Sequence, residues 1–240
     1  MTLPCQRDRF DLPDVTYLNC CYMSPQMKAA TEAGQEAVTR KARPWEVAPV
    51  DFFTESEALR GAYAELSGAA AADVALIPSA SYGLALAAKN LPLSPGQQVL
   101  VLANQFPSNV YVWQERCREV GAELRFLEAN PGQTLSECVL DTIGANTGIV
   151  ALPNVHWSDG RSLNLVAIAA RCREVGAALV LDLTQSLGAA PFSVQEVQPD
   201  FMISAGYKWL CGPYTIGMLY AAPQWQGGSP LEHNWIARKQ

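Results

Sequence analysis

Two side chains in the second half of the sequence could together perform covalent chemistry on an amine. Asp182 directly follows the apolar run 178–181, and burying an acid there is costly unless a cation meets it. Lys208 stands among apolar and aromatic residues in the segment 204–213, which suits a lysine that forms a Schiff base with a carbonyl group. Pyridoxal 5'-phosphate (PLP) requires this pair, because its pyridine nitrogen needs an acid and its aldehyde needs a lysine. The sequence therefore predicts Lys208 and Asp182 as the catalytic residues of a PLP site.

Other candidate binding residues follow other apolar runs. The segment 79–83, which contains Ser81, opens a predicted helix, and the free N–H groups and positive dipole end of a helix start suit a phosphate. An ordinary serine cap would give the same pattern. In the segment 104–109, Phe106 could stack on a flat ring or simply pack in the core. The order of these residues along the chain, together with the acid and the lysine, favours a cofactor site.

The elements that must position these residues alternate regularly from residue 74 onward. Short apolar runs bounded by Gly, Pro, Asn or Asp predict seven strands, and the longer stretches between them predict four helices. The predicted strands are 74–78, 99–102, 124–127, 148–152, 178–181, 201–204 and 216–220. The predicted helices are 82–90, 110–121, 135–143 and 163–176.

This alternation predicts an α/β fold with a mostly parallel, seven-stranded sheet and helices on both of its faces. The connection 204–216 is too short for a parallel crossover, so the last strand is predicted to be antiparallel. Ligands in such sheets bind beyond the carboxyl ends of the strands. Residues 1–73 are predicted to form an N-terminal arm with covering helices at 26–40 and 52–66, and residues 74–240 the cofactor-binding large domain.

Composition and charge argue against several other functions. The net charge of −6 and the pI near 5.0 disfavour nucleic acid or an anionic membrane as a partner. The sequence contains no apolar run long enough to span a membrane and no apolar N-terminal stretch, so neither a membrane helix nor a secretory signal is expected. Seven cysteines without a C-x-x-C pair, and only two histidines, predict no disulfide framework and no metal site. Reduced thiols predict a cytoplasmic location.

Two segments carry a resemblance to a known family. Residues 182–185 are Asp-Leu-Thr-Gln, and residues 206–213 are Gly-Tyr-Lys-Trp-Leu-Cys-Gly-Pro. With the segment 104–109, they make the chain resemble the class V aminotransferases from Tyr17 to its C-terminus. This group of PLP enzymes includes cysteine desulfurases, selenocysteine lyases, isopenicillin-N-epimerase-like proteins and kynureninases. The resemblance implies the large domain of PLP-transferase fold type I.

The resemblance also implies a role for each candidate residue. Lys208 would hold the cofactor and move a proton, Asp182 would pair with the pyridine nitrogen, and Phe106 would stack on the ring. The remaining cofactor-binding positions would be Gln185 near the phenolic oxygen, Ala80, Ser81 and Tyr207 at the phosphate, and Trp157 where desulfurases tend to have an asparagine. All eight residues are therefore expected to meet around one PLP molecule.

Members of this family are longer than the present chain. The resemblance implies that the C-terminal small domain, which usually supplies the arginine for the substrate carboxylate, is absent from a sequence that stops at Gln240. It also implies a homodimer, because the active site of the family usually lies at a dimer interface.

These observations predict a PLP-dependent enzyme, a class V transferase or lyase, that acts on the amino group or α-carbon of an amino acid. Two alternatives stay open: a PLP-dependent β-lyase of the kynureninase or desulfurase type, and a catalytically incomplete PLP-fold chain that serves as a binding or partner protein. A plain dinucleotide binder is disfavoured, because the sequence lacks the G-x-G-x-x-G fingerprint.

Overall fold

A seven-stranded sheet forms the centre of the computed structural model, which describes residues 4–234. The strands are β1 (Val74–Ile77), β2 (Gln98–Leu102), β3 (Glu123–Leu127), β4 (Thr147–Pro153), β5 (Ala178–Asp182), β6 (Phe201–Ala205) and β7 (Gly217–Ala221). The α-helices are α1 (Lys28–Lys41), α2 (Asp51–Ser67), α3 (Ala80–Asn90), α4 (Ser108–Val120), α5 (Leu135–Thr142), α6 (Leu165–Val175) and α7 (Val194–Val197).

The strands are ordered β1-β7-β6-β5-β4-β2-β3 across the sheet. Strand β7 runs antiparallel to both of its neighbours, β1 and β6, whereas the pairs between β6 and β3 are all parallel. The predicted α/β class, the mostly parallel sheet and the antiparallel last strand are therefore confirmed. As a consequence, the carboxyl ends of β1, β2, β4, β5 and β6 point to the same edge of the sheet.

Helices cover both faces of this sheet. Leu84 of α3 and Trp113 of α4 are fully buried in one core. Tyr63 of α2, Val139 of α5 and Ile168 of α6 belong to a second core. Because the sheet is covered on both sides, its central strands are continuous apolar runs rather than alternating ones.

The start of α3 is held close to the sheet by a residue that has no side chain. A Cβ atom added at Gly83 would lie 2.8 Å from Cδ1 of Ile77 and 2.9 Å from Cγ1 of Ile203, so a larger residue would push the helix away. Ser79 caps the same helix, because its Oγ accepts a hydrogen bond from the N–H of Tyr82 at 3.2 Å. The first turn of α3 is therefore fixed at the carboxyl end of β1.

The differences from the predicted elements lie mainly at their ends. Helices α3 and α4 each begin two residues earlier than predicted, at Ala80 and Ser108, because the first turn of a helix precedes the apolar positions that reveal it. Strand β7 begins at Gly217, one residue later than predicted. The sequence pattern does not predict the short helix α7. No helix between residues 4 and 234 has both the length and the apolar character of a membrane span.

The N-terminal segment contacts the loop that follows β6. The N–H of Ser24 donates to the carbonyl of Tyr207 at 3.1 Å. In α1 no residue is buried, whereas Tyr63 and Ala64 of α2 enter the core beneath the sheet. The arm thus contacts the loop after β6 and α2 packs on the sheet, while α1 lies at the surface.

Candidate functional site

A cavity of about 240 Å³ lies at the carboxyl edge of the sheet. Its wall is built by the segments that follow β1, β2, β4, β5 and β6. Every residue predicted for the cofactor site contributes to this wall, namely Ala80, Ser81, Phe106, Trp157, Asp182, Gln185, Tyr207 and Lys208. The structure thus brings together eight residues that are widely separated in the sequence.

Asp182 is a buried acid at the end of β5. Its Oδ1 atom accepts a hydrogen bond from the N–H of Thr184 at 3.0 Å, and Thr184 Oγ1 accepts one from the N–H of Ala205 at 3.1 Å. Burial raises the pKa of Asp182, while the hydrogen bonds from Thr184 and the charge of Lys208 oppose this rise. The charged form therefore needs a nearby cation, and a protonated pyridine nitrogen would provide one.

Lys208 lies in the loop after β6 and is only 7% exposed. Burial lowers the pKa of its amine, and the charges of Asp182 and Cys21 partly offset that effect. A lysine with a lowered pKa has more of the neutral amine that can add to an aldehyde. Its Nζ atom lies 5.5 Å from the centre of the Phe106 ring. The amine and this aromatic face therefore border the same space.

An aromatic pair forms the wall beside this amine. The rings of Phe106 and Trp157 meet edge to face, with centroids 5.6 Å apart and 83° between their planes. Trp157 Nε1 donates to the carbonyl of Asn104 at 2.6 Å, so its single polar atom is used to hold the loop after β2. Trp157 therefore offers the cavity an apolar surface, unlike an asparagine side chain, which could donate a hydrogen bond to a ligand.

The loop that carries Trp157 is anchored by a buried histidine. Nε2 of His156 lies 3.2 Å from the carbonyl oxygen of Ala103, and Nδ1 lies 3.1 Å from Ser158 Oγ and 3.4 Å from Asp159 Oδ1. These contacts tie the end of β4 to the end of β2. His156 is thus used in positioning the loop. In the described part of the chain, no group of three His, Cys, Asp or Glu side chains is placed to hold a metal ion.

The starts of α3 and α4 meet at the cavity wall. Ser81 Oγ donates a hydrogen bond to Ser108 Oγ at 2.9 Å. Sequence analysis missed Ser108, although it follows Pro107 in a pair that is typical of a helix start. Two helix N-termini and two hydroxyl groups suit an anionic group such as a phosphate.

The loop between β6 and β7 adds residues that the sequence pattern does not reveal. It is closed at its base, where the N–H of Gly206 donates to the carbonyl of Ile216 at 2.8 Å. Tyr207 and Tyr214 both line the cavity, with ring centroids 4.4 Å apart. Burial and the neighbouring Tyr214 raise the pKa of Tyr207. The next residue, Thr215, adopts a left-handed backbone with φ of 67°, which β-branched residues rarely do.

Two glutamines line the cavity, and they differ in whether their side-chain amides already have hydrogen-bond partners. Gln185 Nε2 donates to the carbonyl of Cys21 at 3.0 Å, and Gln185 Oε1 accepts from Trp209 Nε1 at 3.1 Å. Both polar ends of Gln185 are thus engaged by the protein, so the predicted contact with a phenolic oxygen would have to compete with these bonds. Gln105 follows β2, and its Nε2 atom has no hydrogen-bond partner. Sequence analysis did not single out Gln105.

The sequence matches the model of a known family, aminotransferase class-V, over residues 30–232. A cysteine desulfurase of Klebsiella pneumoniae (strain 342) is 30% identical over 177 residues, which cover 69% of this chain and 43% of the relative. A cysteine desulfurase of Escherichia fergusonii is 31% identical over 150 residues, which cover 59% of this chain and 37% of the relative. The chain thus spans less than half the length of these curated relatives.

Solved structures share the fold. A C-DES mutant with glycine covalently linked to its PLP cofactor has a TM-score of 0.85 at 21% identity, with 93% of this chain and 61% of the other covered. A cysteine desulfurase from Escherichia coli has a TM-score of 0.82 at 22% identity, with 91% and 57% covered. At these identities the likeness establishes the fold alone.

Proposed function

Because the chain belongs to the class-V aminotransferase family, we propose that it is a PLP-dependent enzyme that acts on the amino group or α-carbon of an amino acid. The observation that carries this proposal is the pairing of Asp182 with Lys208, a buried acid and a buried amine that line one cavity and interact electrostatically. The pair matches two parts of PLP, its pyridine nitrogen and its aldehyde.

The rest of the cavity wall fits the same cofactor. Phe106 offers an aromatic face near Lys208 Nζ, which suits stacking on a pyridine ring. The hydroxyls of Ser81 and Ser108, at two helix starts, suit the phosphate. Tyr207 lines the same cavity and is a further candidate for the phosphate. The chain thus offers groups for the ring, the aldehyde and the phosphate in one place.

When bound, PLP supplies an electron sink that stabilises negative charge at the α-carbon of the substrate. Lys208 would then have two tasks: its amine would hold the aldehyde before the substrate arrives, and the neutral amine would move the α-proton afterwards. A lowered pKa favours both tasks, because each needs the neutral amine. Asp182 would keep the ring nitrogen protonated, since a buried carboxylate is stabilised by an adjacent cation.

Cleavage of a carbon–sulfur bond is a second candidate outcome. The two curated relatives described above, which this chain covers in part, are cysteine desulfurases. Their names favour a lyase reaction on cysteine over amino-group transfer. Both reactions need the same lysine and the same acid, so the assignment of Lys208 and Asp182 does not depend on which of them occurs.

We further propose a homodimer in a reducing compartment such as the cytoplasm. Large apolar side chains are exposed along the arm and the first two helices; they include Tyr17, Leu18, Tyr22, Met23, Trp45, Val50, Phe52 and Phe53. An exposed apolar surface of this kind is typical of a protein interface. The seven cysteines are free, and thiols stay reduced in such a compartment.

A panel of amino acids tests the proposed activity. The purified chain, loaded with PLP, is incubated with amino acids that include cysteine, alanine and aspartate, together with a 2-keto acid that accepts the amino group and a thiol that reduces released sulfur. The products are identified by mass spectrometry. At least one amino acid should yield a keto acid, or alanine and a reduced sulfur species. Lys208→Ala should abolish the reaction, whereas Lys41→Ala on the exposed face of α1 should leave it unchanged. Full turnover by Lys208→Ala would contradict the proposal.

A further inference from the structure

Gln105 is a buried polar residue in the cavity wall whose amide donor is unused. The residue is 7% exposed and lies just beyond β2, between Asn104 and Phe106. It lines the same cavity as Lys208, yet its Nε2 atom has no hydrogen-bond partner. Buried amide donors are almost always paired in folded proteins, because an unpaired one loses its bonds to water without replacement. An unpaired donor in a cavity wall therefore indicates an acceptor that arrives with a ligand.

Other polar side chains in this wall already have protein partners. Both ends of the Gln185 amide are engaged, by Cys21 and Trp209. The indole N–H of Trp157 is donated to a backbone carbonyl. Gln105 is thus the glutamine in this wall whose side-chain donor can bind a ligand without the loss of an existing bond.

We propose that Gln105 is a further binding residue of this site, and that its side-chain amide donates a hydrogen bond to an anionic oxygen of the molecule held at Lys208. The inference rests on the proposed function, since PLP and its substrate define the acceptors. An amide N–H donates and therefore selects an oxygen acceptor rather than a cation.

The position of Gln105 narrows the choice of acceptor. It follows β2, which lies beside β4 and two strands away from β5 and its terminal Asp182. The ring nitrogen is therefore left to Asp182, and the phosphate to the helix starts at Ser81 and Ser108. Two anionic oxygens remain, the phenolic oxygen of the cofactor and the carboxylate of the substrate. Both are anionic oxygens that accept a hydrogen bond, and binding measurements distinguish them.

The test uses Gln105→Leu, which keeps the approximate size of the side chain and removes its hydrogen bond. Gln114→Leu, on the exposed side of α4, is the matched control. The dissociation constant for PLP is measured by the visible absorbance of the loaded chain. Loaded chains are then titrated with alanine and with ethylamine, which lacks the carboxylate. Loss of one hydrogen bond to a charged oxygen should weaken binding roughly tenfold.

Each result has one meaning. Weaker PLP binding by Gln105→Leu identifies the phenolic oxygen as the acceptor. Unchanged PLP binding with weaker alanine binding, and no change for ethylamine, identifies the substrate carboxylate. The proposal is overturned if PLP, alanine and ethylamine all bind as tightly as in the wild type. It is also overturned if alanine and ethylamine bind equally more weakly while PLP binding is unchanged. Failure of the proposed function looks different, because the wild type itself would then form no covalent complex at Lys208.

Gln105→Glu keeps the inference testable should Gln105→Leu fail to fold, as judged by circular dichroism. A carboxylate at this position has the same shape but repels an anionic oxygen. It should weaken binding of the same ligand by more than tenfold. Binding equal to that of the wild type would again exclude Gln105 as a donor.

Discussion

Asp182 and Lys208 lie at the carboxyl ends of two neighbouring parallel strands and line one cavity. Asp182 is the last residue of β5, and Lys208 lies in the loop that follows β6. Each charge favours the charged form of the other, but burial dominates both groups, so that the pKa of Asp182 is raised and the pKa of Lys208 is lowered. A ligand with a cation would stabilise the charged form of Asp182, and a ligand with an aldehyde would react with the neutral amine of Lys208. One molecule that carries both groups therefore fits this pair.

Replacement of Asp182 by Asn should lower turnover by roughly two orders of magnitude or more, a typical loss when one electrostatic contact to the reacting system is removed. A neutral amide cannot hold the ring nitrogen protonated. Covalent attachment at Lys208 should persist, which separates lost catalysis from lost cofactor. The measurement is kcat for the best amino acid of the panel. Asp14→Asn, which changes an exposed acid, is the control, and equal rates in both variants would exclude the role of Asp182.

The same substitution should stabilise the chain before cofactor is added. Burial raises the pKa of Asp182 in the folded state above its value in the unfolded chain. As the pH rises past the unfolded value, the unfolded chain loses this proton first, and the free energy of unfolding therefore falls. Asp182→Asn should therefore raise Tm at neutral pH by about 2–4 °C for each kcal/mol relieved. The gain should vanish below the ordinary pKa of 3.8. A lower Tm of the variant at neutral pH would show that the carboxylate is not under strain from burial.

Removal of the aromatic face at Phe106 should weaken PLP binding. A stacked aromatic pair contributes about 0.5–1.5 kcal/mol beyond its buried area, so Phe106→Leu should raise the Kd for PLP by roughly 2–12-fold. Phe126→Leu, which alters an exposed phenylalanine on β3, serves as the comparison. Titration by visible absorbance gives both constants. If Phe106→Leu and the wild type have the same Kd for PLP, the pyridine ring does not stack on Phe106.

Ser81→Ala should weaken the binding of PLP but not that of pyridoxal, which has no phosphate. Ser81 lies in the first turn of α3 and bonds to Ser108 at the start of α4. Loss of a hydroxyl that contacts a phosphate should cost about tenfold in affinity. The ratio of the two dissociation constants is the measurement. An equal loss for both ligands would indicate a general distortion of the cavity instead of a phosphate contact.

The sequence predicts the sheet, and it predicts that Asp182, Lys208 and Phe106 meet at one edge of it, because strand order along the chain places all three at strand ends. Their roles toward a cofactor stay predictions. It does not predict partners that depend on distant backbone. Gln185 meets Cys21, a residue 164 positions away, and no local pattern encodes that contact. Tyr214 is also not predicted, because it lines the cavity from the irregular loop between β6 and β7. The sequence also cannot show that Gln105 Nε2 lacks a hydrogen-bond partner, because that depends on the positions of all its neighbours.

A charged substitution in the exposed apolar surface of the arm and the first two helices should change the oligomeric state. Phe52 is 72% exposed at the start of α2, and a charge in a buried interface is unfavourable. Phe52→Glu should therefore shift the chain from dimer to monomer in size-exclusion chromatography with light scattering. Tyr111→Glu, at an exposed position of α4, should leave the mass unchanged. A wild-type chain that is already a monomer would contradict the proposed dimer.

Covalent trapping of the cofactor tests the central claim most directly. The purified chain is incubated with PLP, reduced with borohydride and digested, and the peptides are analysed by mass spectrometry. The reduced cofactor should be attached to the peptide that contains Lys208, and the Lys208→Ala variant should carry none at that position. Attachment only to other lysines, or none at all in the wild type, would contradict the account.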